Sequence, residues 1–360
     1  MSKPRVIFTR PAYWAKCKSE KLDLQHVSIS GNEPTKLRNG RACGDSVGGV
    51  VTERGRKLLL RAFDERPPDV FLWWAHYAND GSKDKLRTVR TLLGMLRSMA
   101  PKAVFLYGNG NQQGMPDFNV SAFMHVMDGI LVNTRDEREV RMYKSHGIRH
   151  VRTLHTFGFD PGKHGPGNAY PRDKTPKYDC FFGGSQTLDV RTGLPSRFYP
   201  KNKMLGGKYP NSKRRFEFLK GVNERFKLLV RGKGRWEPIA AQKYLHADEY
   251  PGAFGNAKIA LGMYHWDLQR YYTKRTVYSG ASGRPLITYY IPGMEKDFEK
   301  GVNIEWFKTP DEGYELIRHY LDRNEEREAL GARQRAHFVK HHSWEPRLRE
   351  FERIVEEVLR

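Results

Sequence analysis

Short apolar runs alternate with longer, charge-rich stretches along most of the chain, and the two have different periods. Arg5–Thr9, Asp69–Trp74, Ala103–Tyr107, Gly129–Asn133 and Val151–Thr156 have the length and the aromatic or β-branched content of buried strands. Between them, Lys83–Met99 sets Val89, Leu92, Leu93, Leu96 and Met99 on one helical face, and Arg135–His146 reads as a second helix. The pattern breaks at Phe157–Pro176 (FGFDPGKHGPGNAYPRDKTP), which is dense in Gly and Pro and without period. It then resumes with strand Tyr178–Phe182, helix Arg214–Asn223, strands Phe226–Arg231 and Lys258–Met263, a short helix before Gly283, and strand Leu286–Tyr290. Thr309-Pro310-Asp311-Glu312 is a capping box that opens a helix through about Leu321. A further helix spans Asn324–His341. The last, Pro346–Leu359, puts Leu348, Phe351, Val355 and Val358 on one side.

Such alternation implies α/β architecture: two parallel sheets covered on both faces, in two Rossmann-like domains with a cleft between them. The expected division is 1–160, a linker at 161–176, a second domain at 177–342, and a terminal helix at 343–360 that crosses back to the first domain. Ligands of such sheets bind at the carboxyl ends of the strands.

Composition adds three constraints. No apolar run approaches the ~18–20 residues that span a bilayer, and the run in MSKPRVIFTRP is too short for a signal-peptide core. Cys17, Cys43 and Cys180 are odd in number and lack CxxC spacing, so reduced thiols in a cytoplasmic protein are expected, with no metal centre. If the protein is phage-encoded, that cytoplasm is the bacterial host's. The 63 Lys and Arg against 41 Asp and Glu leave a net charge of +22. A field of that sign attracts nucleic acid, anionic membrane surfaces or phosphorylated substrates.

Three turns at strand ends have the composition of a phosphate site. Gly183-Gly184-Ser185 follows one strand, and Arg231-Gly232-Lys233-Gly234-Arg235-Trp236 follows another. Lys274-Arg275 leads into the helix before Gly283. Glycine lets backbone approach a ligand, Lys and Arg neutralise phosphate, and Trp236 could cover a flat base. Singly, each is an ordinary βα turn; three on one sheet edge suit a diphosphate nucleotide. There is no GxxxxGK[ST] loop, and no GxGxxG follows the first strand, which argues against phosphoryl transfer and dinucleotide chemistry.

The chain here resembles a family. YDCFFGGS, VRGKGRW, YPGAFGNAKIALGM, KRTVYSGASGRPLITYYIPGMEKDF, DRNEER and HHSWEPRLREFERIVEEV occur in the order and spacing of group 1 glycosyltransferases of the GT-B fold, in the spore-maturation-type branch. LHTFGFDPGKHGP resembles that family's hinge, and DGILVNTRDEREVRMYKSHGIRHV the last βαβ of its first domain. The resemblance implies a nucleotide-sugar donor (a UDP-sugar) on the second domain, an acceptor on the first, and no carboxylate-bound metal or other cofactor. It assigns Arg231, Lys233, Lys274 and Arg275 to the diphosphate, with Gly183, Gly184 and Ser185 supplying backbone N–H groups. Where the family has Glu in an R-x-F-E-A pattern, this chain has Tyr278. In the family that carboxylate holds ribose hydroxyls, so the nucleotide and the anomeric outcome stay open.

Candidate bases for an acceptor hydroxyl are Asp45, in the glycine-rich stretch Ala42–Gly49, and His76 and Asp80, which follow DVFLWW. Between Asp189 and Glu217 no acidic residue occurs, while Arg191, Arg197, Lys201, Lys203, Lys208, Lys213, Arg214 and Arg215 are interleaved with Phe198, Tyr199 and Tyr209. Cations that track phosphates, with aromatics that stack on bases, describe a nucleic-acid surface. With the charge, this favours double-stranded DNA as acceptor, the role of the bacteriophage DNA glucosyltransferases that decorate hydroxymethylated pyrimidines, and a monomer is expected. Transfer to envelope polysaccharide, lipid-linked sugar or protein is a second reading. A non-catalytic nucleic-acid-binding protein on the same scaffold is a third.

Overall fold

The computed structural model describes residues 2–9, 14, 19–29, 51–73, 83–108, 124–155, 158–165, 175–185, 211–242 and 249–360. The chain forms two compact units, Met1–Thr156 with Trp344–Arg360, and Phe157–Ser343.

The first unit is a parallel sheet of β1 (Arg5–Phe8), β2 (Asp23–His26), β3 (Val70–Trp73), β4 (Val104–Gly108), β5 (Gly129–Val132) and β6 (His150–Thr153), in the order β2-β1-β3-β4-β5-β6. Its helices are α1 (Glu53–Glu65), α2 (Lys83–Met99) and α3 (Glu137–Ser145). Alternate strand residues serve opposite faces. Ile7, Phe71 and Phe105 join Phe63 of α1, Leu92, Leu93 and Leu96 of α2 and Tyr143 of α3 in one core. Thr52 caps α1 by accepting from the Gly55 N–H, and Asp136 caps α3.

The opposite face, with Val6, Phe8, Val70, Leu72 and Leu106, is covered by residues from the far end of the sequence. The helix Trp344–Val358 (α9 in chain order) lays Leu348, Phe351, Val355 and Val358 there, and Phe351 stacks on Trp14 with centroids 4.9 Å apart. Ion pairs Arg152–Glu357 and Lys21–Glu356, both 2.8 Å, fix its outer side.

The second unit is a parallel sheet of β7 (Tyr178–Gly183), β8 (Leu228–Arg231), β9 (Ala241–Gln242), β10 (Ala257–Gly262), β11 (Leu286–Tyr289) and β12 (Glu305–Phe307). Its order is β12-β11-β10-β7-β8-β9. Strands therefore spread outward from β7 in one direction and from β10 in the other, which makes the carboxyl ends of β7 and β10 the topological switch point. Helices α5 (Tyr250–Gly255), α6 (Lys274–Ser282) and α8 (Asn324–His342) contribute to one core with Phe181, Leu229 and Ala260. Helices α4 (Ser212–Arg225) and α7 (Pro310–Asp322) pack on the other face with Phe182, Val230 and Leu261. Thr309 caps α7 by accepting from the Glu312 N–H, while the Glu312 carboxylate accepts from the Lys308 N–H.

The alternating α/β reading is met in both units, with α2 at the expected residues. Among the described residues no helix is long and apolar enough to cross a membrane. Cys180 is buried and unbridged; Cys17 and Cys43 lie outside the described residues.

Candidate functional site

At the switch point two backbone turns and a guanidinium come together. β7 ends in Gly183-Gly184-Ser185, and the Gly184 N–H donates to the Arg231 carbonyl of β8 at 2.9 Å. Gly232 packs directly on that turn: a Cβ there would overlap the Gly184 carbonyl oxygen and lie 2.5 Å from its carbon. A Cβ on Gly184 would lie 2.8 Å from Nη2 of Arg275. Glycine is thus required on both sides of the turn for the backbones and a guanidinium to pack this closely.

The first turns of two helices, α6 and α4, each send an arginine to this turn. Neither has an acidic residue in its first turn; α6 starts Lys274-Arg275, and Lys213, Arg214 and Arg215 open α4. Cations at the positive end of a helix dipole raise the local positive potential, the reverse of what helix stability favours. Arg275 is half-buried, donates from Nη1 to the Met263 carbonyl at 2.8 Å, and lies over the Phe182 ring at 4.7 Å. Among the described residues its buried Nε–H has no partner. Arg215 is fully buried, donates from Nη1 to Nε2 of His265 at 2.9 Å and from Nη2 to the Ser185 carbonyl, and approaches Phe182 at 5.7 Å. Thr273 and Thr276 form the capping box of α6, and the Tyr264 hydroxyl shares a 2.7 Å hydrogen bond with Thr276. The arrangement has the composition of an anion site: a glycine turn and two guanidinium groups sent from the first turns of two helices.

Because His265 accepts from Arg215, its proton sits on Nδ1. Burial, with the positive charges of Arg215 and Arg275, pushes its pKa well below the usual imidazole value. The unfolded chain takes up a proton near pH 6.5 that the folded site resists, so stability is full above that pH and falls as the pH drops below it. Thermal-unfolding midpoints should therefore decline on the acid side, and His265→Asn should show a shallower decline.

Several expected site residues stand differently. Trp236 is not available to cover a base: it is 2% exposed and packs edge-on against Phe182, centroids 5.8 Å apart, because its indole fills the core beneath the turn. Arg215 does not belong to an outer nucleic-acid surface, since it lies on the same α4 face as the buried Phe218, Leu219 and Val222. Arg214 is bound to Asp267 (2.8 and 3.1 Å) and lies over the Tyr289 ring at 3.8 Å, while Lys213 is exposed. Arg231 is half-buried and Lys233 exposed on the turn after β8. Lys274 lies with its Nζ 5.2 Å from the Tyr278 ring, and Tyr278 is buried. Asp45, His76, Asp80, Arg191, Arg197, Lys201, Lys203 and Lys208 lie outside the described residues. His265, which lies in none of the quoted segments, contacts Arg215, while Tyr250 and His164 lie within quoted segments in which nothing singles out their rings. Among the described residues no group of three His, Cys, Asp or Glu is placed to hold a metal.

Residues 214–353 match the family described as glycosyl transferase-like. No curated protein matches the chain in sequence. Among solved structures, an alpha-glucosyltransferase in complex with UDP-glucose and DNA containing an abasic site superposes with a TM-score of 0.67 at 10% identity, covering 99% of this chain and 100% of that one. The alpha-glucosyltransferase in complex with UDP and a 13-mer DNA containing an HMU base gives 0.64, again at 10% identity and the same coverage. Anabaena HepE in complex with UDP and glucose gives 0.57 at 9% identity, covering 98% of this chain and 100% of that one. At these identities the likeness is one of fold, and that fold is GT-B. The glycosyl transferase-like stretch 214–353 includes both Arg215 and Arg275.

Proposed function

We propose that this glycosyltransferase takes its sugar from a UDP-sugar, UDP-glucose foremost, and delivers it to a hydroxymethylated pyrimidine in duplex DNA. The observation that carries the donor half is the pairing of Arg275 and Arg215 against one glycine turn at the switch point of β7 and β10. As the glycosidic bond breaks, charge grows on the departing diphosphate. Guanidinium groups and helix N-termini already fixed around it stabilise that charge without reorganising. On the same reading Gly183 and Ser185 offer N–H groups and Lys233 and Lys274 supply further positive charge, while the Gly184 N–H, already given to the Arg231 carbonyl, shapes the turn and does not reach the ligand.

The DNA half rests on the net charge of +22 and on the acid-free basic and aromatic run from Arg191 to Lys213. Fold relatives crystallised with DNA agree with it. A base in a duplex is out of reach, so the target nucleotide would flip out of the stack before transfer. Asp45, His76 and Asp80 are proposed as bases for the acceptor hydroxyl.

The test is a panel of UDP- and GDP-sugars against duplexes with and without hydroxymethylated pyrimidines, read by mass spectrometry of the released nucleosides. Sugar should appear on the modified base alone. Duplex affinity should also fall steeply with salt, with a log–log slope of about −0.9 per phosphate contacted. Transfer to no DNA by a protein that still hydrolyses a nucleotide sugar would overturn the acceptor and leave the donor standing.

A further inference from the structure

Beside the glycine turn runs a series of aromatic contacts that phosphate binding does not use. The Tyr250 ring lies against Gly183, where a Cβ would be 2.8 Å from its edge. Tyr250 meets Tyr278 edge-on at 5.8 Å, and Tyr278 stacks on His164, centroids 4.6 Å apart and 22° from parallel. These rings lead away from the anion site along α6, one turn beyond Lys274 and Arg275. A nucleoside attached to a diphosphate in that site has its ribose beside the phosphates.

His164 is held with unusual firmness for a residue in an irregular segment. Asp160–His164 forms a compact turn in which the Lys163 and His164 N–H groups both donate to the Asp160 carbonyl at 3.0 Å. The imidazole Nδ1 donates to the same carbonyl at 3.1 Å, and the Gly162 N–H donates to the Asp160 side chain at 2.9 Å. From α8, Arg335 donates to the carbonyls of Pro161 (3.2 Å) and His164 (3.3 Å), and to that of Ala281 in α6. Since a carbonyl can only accept, the proton is on Nδ1, and Nε2 keeps its lone pair. Burial of the ring, with Lys274 and Lys163 nearby, lowers its pKa, so the imidazole is neutral near pH 7. Among the described residues nothing is bonded to Nε2, and the ring is half-buried.

A lone pair cannot bind a phosphate oxygen; its partner must be a hydrogen-bond donor. We propose that His164 is a specificity-determining residue whose Nε2 accepts from a ribose hydroxyl of the bound nucleoside diphosphate, with Arg335 as the positioning residue that fixes the turn. This rests on the donor reading above. The ring stack on Tyr278 orients the imidazole, and recognition of the ribose needs no helix carboxylate.

The experiment is calorimetric titration of the full chain with UDP, 2′-deoxy-UDP and 3′-deoxy-UDP, for the native protein and for His164→Ala and His164→Phe. The native chain should prefer UDP over one deoxy analogue by about 5- to 10-fold, the worth of one hydrogen bond. Both variants should lose that margin on UDP and none on the analogue, so the preference disappears. Phenylalanine preserves the stack on Tyr278 and the backbone bonds to Arg335 while it removes the acceptor, and its unchanged affinity for the deoxy analogue shows that the turn has held. Equal weakening on all three ligands, or an unchanged preference, overturns the proposal. If the native chain binds no nucleoside diphosphate, the donor reading falls with it.

Discussion

Gly232→Ala should remove nucleotide binding, at a cost of roughly 100-fold or more in affinity and turnover. The added methyl would overlap the Gly184 carbonyl, and both sides of the clash are backbone. No side chain can turn aside, so the Gly184 peptide has to move. It is held on its other side by the hydrogen bond to the Arg231 carbonyl, and Arg275 lies against it. A shift of about an ångström in groups that position a substrate is enough for losses of this order. Overpacking at such a point also destabilises by about 1–3 kcal/mol. Thermal unfolding with and without UDP measures both effects; a variant with native stability and a native UDP-induced shift would mean the turn is not part of the site.

Arg275→Ala should separate binding from folding. The side chain is half-buried and among the described residues makes one hydrogen bond to the fold, to the Met263 carbonyl, so stability should fall by only about 1 kcal/mol. The catalytic loss should be far larger. Removing one preorganised donor from a developing anion typically costs about 10²–10³ in kcat. Lysine should rescue little, because its compact ammonium lacks the planar fork that lets a guanidinium span the Met263 carbonyl and a phosphate from one fixed position. Steady-state consumption of the nucleotide sugar is the readout, and turnover within a few-fold of native would place the chemistry elsewhere.

The sequence made the alternation of elements legible because buried parallel strands must be continuous apolar runs and covering helices must be amphipathic. Strands without that need escaped it. β2 (DLQH) is half-exposed, both residues of β9 are exposed, and β12 has three residues, so none carries a period to detect. Helix α1 has its apolar stripe at Leu59, Ala62 and Phe63, interleaved with Arg54, Arg56, Lys57 and Arg61, which dilute the signal.

At the site, Arg275 and the glycine turns were legible from their chemistry at strand ends. Arg215 was hidden by its neighbours, since it stands in a basic run that reads as one charged surface. The signal was present all the same: Arg215 lies three, four and seven residues before Phe218, Leu219 and Val222, on the apolar stripe of α4. Trp236 shows the limit from the other side, because whether an indole on a turn lies out in solvent or folds under is decided by Phe182, in a different strand. His265 lies outside every quoted segment and His164 inside one that does not single it out; what marks both is the partner a ring nitrogen finds in space.

The helix that closes the first unit is made only after the whole of the second. As the nascent chain leaves the ribosome, the sheet face with Val6, Phe8, Val70 and Leu72 stays uncovered until Phe351 and Val355 emerge. The unit synthesised first therefore completes its core after the second unit has all of its residues, and exposed apolar surface in that interval is where aggregation competes with folding.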